Sequence, residues 1–142
     1  MMPQNHFVVA VVITVAAVLL FYPDLDLAEA ALWAVVSGIA AAVIDLDVIV
    51  LVRWKAKSDP ELRPYTDIRV VARDLRAMLR LLHERGLLLK IAVPHTASAI
   101  AMSVAAFCLA PSLFVPVVLG AWSHVLSDVP YVWSVVRTAG PA

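Results

Sequence analysis

The chain has 142 residues, of which 63% are hydrophobic and only 15% are charged. A soluble globular domain is typically about half apolar and about a quarter charged, so this composition excludes an ordinary soluble domain and predicts one all-α membrane domain, residues 1–142. The formal net charge is zero, but ten of the eleven Lys and Arg residues lie between Arg53 and Lys90. This local basic segment bears on the membrane topology of the chain. Cys108 is the only cysteine, which excludes an intrachain disulfide or a CxxC motif.

Two apolar spans precede the basic segment. The first, residues 5–22, would form a helix of about 27 Å, which is long enough to cross a membrane. No Lys or Arg precedes it, so a signal peptide is disfavoured and we expect a retained helix. Pro23 and the acidic turn after it end this span. The second span, residues 27–52, carries Ser37 and Gly38, a small-residue surface that permits close helix packing or homo-oligomerisation.

Residues 66–85 follow a different pattern, with apolar residues at helical spacing on one face and four arginines on the other. The arginines are Arg69, Arg73, Arg76 and Arg80. Thr66 suits an N-cap and Gly86 suits the position just after a helix. The pattern predicts an amphipathic helix that either lies on the membrane, with its arginines at anionic lipid headgroups, or packs on the bundle with a solvated basic face. No aromatic residues are interleaved with the arginines, so we expect no nucleic-acid binding.

Two more apolar spans, residues 87–110 and 112–134, complete a prediction of four transmembrane helices plus the amphipathic helix. Pro94 predicts a kink or a late helix start beside His95, because proline cannot donate a hydrogen bond to the Lys90 carbonyl. The positive-inside rule places the basic segment in the cytoplasm. Four spans then place both termini there too, in an inner or cytoplasmic membrane.

Five polar side chains interrupt these spans, and ionisable residues at membrane depth indicate a functional site. They are Asp45, Asp47, His95, His124 and Asp128. Counting along ideal helices from the nearest basic residue places all five roughly 7–20 Å into the cytoplasmic half of the membrane. Each residue alone would more readily be a hydrogen-bonding group, a helix cap or the partner of a nearby cation. Their common depth, and the shared helix face of His124 and Asp128, favour one site.

Carboxylates and imidazoles on neighbouring helices are the usual ligands of Zn²⁺ or Mn²⁺ in bundles. We therefore predict that all five residues hold a divalent metal ion, zinc or manganese. Asp45 and Asp47 point about 200° apart on a regular helix, so either the helix unwinds there or one carboxylate supports a ligand instead of binding. His95 would act as a ligand or general base, and a free carboxylate such as Asp47 is the second candidate catalytic group. His6 and His83 look peripheral and are left out.

Three stretches also carry a resemblance to a known family. They are residues 38–47 with their Asp-Leu-Asp ending, His95-Thr-Ala-Ser98, and Gly120-Ala-Trp-Ser-His124 with Asp128. In order and approximate spacing these stretches resemble the three motifs of the small membrane-bound metal-dependent hydrolases of the YdjM-like type. The resemblance implies metal binding by the five polar residues and a hydrolytic activity. Ile44 and Val48 stand where that family has proline and histidine, which implies fewer ligands than usual.

Three functions fit this sequence. The first is a metal-dependent hydrolase that acts on a lipid-linked ester or phosphoester entering from the inner leaflet. The second is a non-enzymatic membrane protein with a structural metal site or an ion or proton relay. The third is a bundle subunit whose polar residues only hold helices together. An open cleft beside the ligands would favour the first, a closed ligand set the second, and direct pairing of His124 with Asp45 or Asp47 without a cavity the third.

Overall fold

The computed structural model describes residues 3–139, and within this range all regular secondary structure is helical. Four helical segments of the described chain are long and apolar enough to cross a membrane: Gln4–Phe21, Leu27–Lys55, Lys90–Leu109 and Pro111–Thr138. The chain is therefore an all-α membrane protein, which confirms the fold class predicted from composition and hydropathy.

The described helices follow the order of the predicted spans. They are α1 Pro3–Phe21, α2 Leu27–Ile44, α3 Leu46–Lys55, α4 Ile68–Arg73, α5 Leu75–Glu84, α6 Leu88–Leu109 and α7 Phe114–Ala139. Short 3-10 helices, Pro60–Thr66 and Pro111–Leu113, lie in the connections before α4 and α7. Together α2 and α3 make up the second membrane span, and α4 and α5 lie in the basic segment between the second and third spans.

Small and hydroxyl-bearing residues bring α1, α2 and α7 close together. Gly120 of α7 packs against the backbone of Ser37 in α2, where a Cβ atom on Gly120 would overlap the Ser37 carbonyl oxygen. On the α1 side, the Thr14 hydroxyl donates a hydrogen bond of 2.7 Å to Ser37 Oγ. Close backbone approach of this kind lets short side chains from three different helices reach a common point.

The second span is interrupted at Asp45, which ends α2 and precedes α3. Its backbone stays near helical geometry, with φ −62° and ψ −13°, so the chain continues in nearly the same direction. The helix that was predicted to run through Asp45 and Asp47 is thus divided at Asp45, where α2 ends and α3 begins. The two carboxylates nevertheless turn toward different partners.

The amphipathic segment predicted as one helix over residues 66–85 is instead two helices, α4 and α5. The backbone leaves helical geometry at Asp74, with φ −137° and ψ 46°. Asp67, one residue after the predicted cap Thr66, caps α4 by accepting a backbone N–H in its first turn at 2.8 Å. The Asp67 carboxylate thus satisfies a backbone N–H that the start of a helix leaves unpaired, whereas the Asp74 side chain makes no such cap hydrogen bond. Gly86 ends α5 as predicted, with a positive φ of 61°.

The apolar face of α5 packs on the ends of the membrane spans. Met78 and Leu82 are buried there, and the arginine face opposite them is exposed. The buried cluster consists of Val52, Ala56, Leu62, Met78, Leu82, Leu87 and Ile91. This packing shows that the apolar face of α5 is docked on the bundle. The contacts of the arginine face, solvent or lipid headgroups, stay a prediction.

The prolines within the last two spans do not end their helices. α6 begins at Leu88, so Pro94 lies inside the helix and the alternative of a late start beside it is wrong. Likewise α7 continues through Pro130 to Ala139, beyond the predicted end near residue 134. A proline removes one helical hydrogen bond, but a chain in lipid has no water to satisfy other backbone groups, so the helix resumes at once.

Candidate metal centre

Four side chains from three membrane spans converge near one end of the bundle. His6 in the first turn of α1, Asp45 at the α2–α3 break, and His124 and Asp128 on α7 each offer one ligand atom, and these atoms all lie within 4.8 Å of one another. Both histidines are fully buried. His6 was left out of the predicted site, so the structure corrects that exclusion; His83 does not belong to this group.

The contacts between carboxylates and imidazoles in this group range from hydrogen-bond distance to nearly 4 Å. His6 Nε2 lies 3.2 Å from Asp128 Oδ1, and His124 Nε2 lies 3.5 Å from Asp128 Oδ2. The distance from His124 Nε2 to Asp45 Oδ1 is 3.8 Å, beyond hydrogen-bond range. The two histidine rings are tilted by 36° to each other, with their centroids 3.9 Å apart. Ligand atoms at these separations could be shared by one metal ion.

Ser127 defines which nitrogen of His6 faces the group. The Ser127 hydroxyl donates its only hydrogen to the His124 carbonyl oxygen at 2.9 Å. Ser127 Oγ, which lies 3.0 Å from His6 Nδ1, can then accept a hydrogen bond from that nitrogen in the tautomer protonated at Nδ1. In the neutral ring, the Nε2 lone pair is then directed at the group, which is the arrangement that a metal-ligating histidine requires.

Buried polar atoms without a hydrogen-bond partner are concentrated at this place. Among the residues that the structure describes, all such side-chain atoms belong to the group or its immediate neighbour: His6 Nε2, Asp45 Oδ2, Asp47 Oδ1, and both ring nitrogens of His124. Each unsatisfied buried group costs about 1–3 kcal/mol. A cation would satisfy several of them at once, and two imidazoles with two carboxylates form a suitable donor set for a divalent metal ion.

The remaining predicted residues, His95 and Asp47, form a hydrogen-bonded pair beside the group rather than part of it. His95 Nδ1 lies 2.7 Å from Asp47 Oδ2, and the opposite nitrogen, Nε2, lies 4.0 Å from Asp45 Oδ1. Asp47 therefore supports His95, while Asp45 belongs to the four-residue group. Of the five predicted ligands, the structure brings Asp45, His124 and Asp128 together.

A cavity of about 240 Å³ adjoins these residues. The ionisable residues in its lining are Asp45, His95 and Asp128. Apart from Thr96, the rest of the lining is apolar and comes from α3, α4, α5, α6 and α7, with α4 and α5 facing the ends of the spans. The group is thus accessible from a mostly hydrocarbon-like space.

Replacing Ser127 with alanine is expected to lower metal affinity by about 10–100-fold, because it removes the group that orients the His6 ring. Isothermal titration with Zn²⁺ or Mn²⁺ in detergent would measure the change. Ser123→Ala is the matched control: Ser123 lies one turn earlier on α7, is also buried, and donates only to the Gly120 carbonyl. Equal affinities in the two variants would contradict the proposed orientation of His6.

Comparisons of the chain with protein-family models, with curated proteins and with solved structures find no match. The resemblance to the YdjM-like hydrolases consequently rests on the three motifs alone.

Proposed function

We propose that this chain is a membrane-embedded, metal-dependent hydrolase that acts on a lipid-linked ester or phosphoester. His6, Asp45, His124 and Asp128 would hold the ion, zinc or manganese. The observation that carries the proposal is the apolar cavity whose wall contains two of these ligands and His95. A hydrolase of lipids needs this combination of an ion site and an adjoining space for hydrocarbon.

The chemistry of the site divides between the ligand group and the His95–Asp47 pair. His6, Asp45, His124 and Asp128 would hold the divalent ion, which when bound would supply Lewis-acid chemistry that lowers the pKa of water. Asp47 accepts the Nδ1 proton of His95 and fixes the ring, so His95 Nε2 can take a proton from water. In phosphoester hydrolysis, the water oxygen bonds to phosphorus as the ester P–O bond breaks. The proton that His95 Nε2 took from water then passes to the departing alkoxide, which leaves as an alcohol.

Two alternatives fit the geometry less well. If the polar residues only held helices together, His124 would pair directly with Asp45, but the 3.8 Å separation is too long for a hydrogen bond. A purely structural metal site, or an ion or proton relay, would not need an apolar cavity at its ligands. The cavity beside Asp45 and Asp128 therefore favours the enzyme.

The placement in the membrane is part of the proposal. Ten of the eleven Lys and Arg residues lie between Arg53 and Lys90, which supports a cytoplasmic location for α4 and α5, both termini and the site end of the bundle. The exposed face of α4 and α5 carries four arginines that would contact anionic lipid headgroups: Arg69, Arg73, Arg76 and Arg80. The membrane would be an inner or cytoplasmic membrane, consistent with the resemblance to the YdjM-like family.

The proposal is tested by assaying the detergent-purified protein, loaded with Zn²⁺ or Mn²⁺, against phosphatidate, lysophosphatidate, polyprenyl phosphate and long-chain carboxyl esters. Mass spectrometry of the released phosphate, alcohols and fatty acids would detect turnover. We expect product with the wild-type chain and none above background with the His124→Ala, Asp128→Ala double variant. Metal-loaded wild-type protein that hydrolyses no member of the panel would favour the structural metal site instead.

A further inference from the structure

The cavity has properties that point to the shape of the substrate. It lies among α3, α4, α5, α6 and α7, and its lining is apolar apart from Thr96 and the three ionisable groups. The apolar part of such a lining favours apolar groups over water. Since the helices that form it belong to membrane spans or pack on them, the apolar groups available to it are lipid hydrocarbon chains.

The volume bears on how many chains it can hold. At about 240 Å³, the cavity is smaller than the ~300–1,000 Å³ of pockets that enclose a whole drug-sized ligand. Two hydrocarbon chains side by side would need a wider space. The ionisable groups Asp45, His95 and Asp128 are close neighbours in space, so they occupy one region of the wall, which gives the cavity a polar region and an apolar remainder.

We propose that this cavity holds the hydrocarbon chain of a single-chain lipid phosphate, with the phosphoester at Asp45, His95 and Asp128. The position of the phosphoester rests on the proposed function, whereas occupancy of the cavity by one chain does not, because chain binding is measurable without turnover. Met78 and Leu79 of α5 and Val129 of α7 would contact the chain. The water-soluble headgroup alone lacks these contacts and would bind far more weakly.

The test uses lysophosphatidate with a photoreactive diazirine near the end of its acyl chain, bound to the full-length protein in detergent. Peptide mapping after irradiation should place the label on α5 around residues 75–79 and on α7 around residues 129–132. Unlabelled lysophosphatidate and polyprenyl phosphate should each suppress this labelling, and glycerol 3-phosphate should not. Suppression by dipalmitoyl phosphatidylcholine at the same concentrations, or label spread evenly over the lipid-facing surfaces of α1 and α6, would overturn the proposal.

Substitutions that fill the cavity give an independent measure. Ala92→Phe on α6 should lower labelling of α5 and α7 by about tenfold, because the ring takes the space of several chain methylenes. Ala101→Phe is the control, since Ala101, like Ala92, is exposed on α6 but lies outside the cavity lining. Val129→Trp fills the cavity from the opposite helix and replaces Ala92→Phe if that variant does not fold. Unchanged labelling in a folded cavity variant would overturn the proposal.

Metal content, measured on the same samples, separates this inference from the proposed function. Ala92→Phe leaves His6, Asp45, His124 and Asp128 in place and should retain metal while losing chain labelling. If metal is retained and the label is spread evenly over α1 and α6, the proposed chain-binding cavity is contradicted and the metal centre is still supported. If α5 and α7 are labelled but no lipid is hydrolysed, the proposed hydrolase activity is contradicted and binding of one chain in the cavity is still supported.

Discussion

Replacing His6 with alanine is expected to abolish metal binding, whereas replacing His83 with alanine leaves it unchanged. His6 is fully buried, and its Nε2 atom lies within the four-residue group, 3.2 Å from Asp128. His83 lies on α5, outside that group. Loss of a direct ligand should weaken affinity by more than the ~10–100-fold that removal of an orienting group costs. Elemental analysis of the detergent-purified proteins would show near-stoichiometric zinc or manganese only in the wild type and His83→Ala.

The His124→Ala, Asp128→Ala double variant should lose metal to the same extent as His6→Ala. Circular dichroism would establish that each variant keeps its helical content. Metal retained in folded His6→Ala at the wild-type level would place the ion away from His6. Negligible metal in well-folded wild-type protein would contradict the hydrolase interpretation. The polar residues would then serve to hold helices together or to relay protons.

Much of the fold follows from the sequence because a membrane imposes simple rules. Long apolar runs must form helices, so the four spans were predictable from hydropathy alone. The break at Asp74 was not, because the apolar spacing over residues 66–85 continues across it. Its position depends on how α5 docks on the bundle through Met78 and Leu82. The continuation of α6 through Pro94 likewise reflects the surroundings of the whole helix rather than a local propensity.

The site was partly predictable because depth in the membrane can be counted along a helix. Counting placed all five predicted residues about 7–20 Å into the cytoplasmic half of the membrane, and the structure brings Asp45, His124 and Asp128 together. No Lys or Arg precedes His6, so this count has no starting point in the first span and did not include His6. As a lone polar residue at the start of an apolar run, His6 resembles an interfacial group. Its role becomes visible only when α1 packs against α2 and α7.

The different roles of Asp45 and Asp47 depend on three-dimensional contacts that residue spacing does not specify. Two residues apart, they were expected to diverge, but their partners could not be assigned. In the structure, Asp47 is 2.7 Å from His95 Nδ1, while Asp45 lies 4.0 Å from the opposite nitrogen of the same ring. His95 thus lies between a carboxylate that orients it and a carboxylate of the ligand group.

His95→Gln is expected to reduce hydrolysis by about 10²–10⁴-fold while metal content stays at the wild-type level, because general-base catalysis contributes about this factor. His95 lines the cavity and is oriented by Asp47, but it lies outside the four-residue group. Steady-state kinetics on the substrate found with the lipid panel would show the loss in kcat, and elemental analysis would report the metal. Asp47→Asn should cause a smaller loss of the same kind, because the ring remains but loses its anionic partner.

The paired measurements distinguish the two roles first considered for His95. If His95 is a ligand, His95→Gln loses metal together with activity, and added Zn²⁺ or Mn²⁺ restores part of the activity at high concentration. If His95 is the general base, metal is retained and added ion restores nothing. Unchanged kcat in both His95→Gln and Asp47→Asn would contradict either role. The proton would then have to be taken by a carboxylate of the ligand group, and Asp45, which lines the cavity, would be the residue to test next.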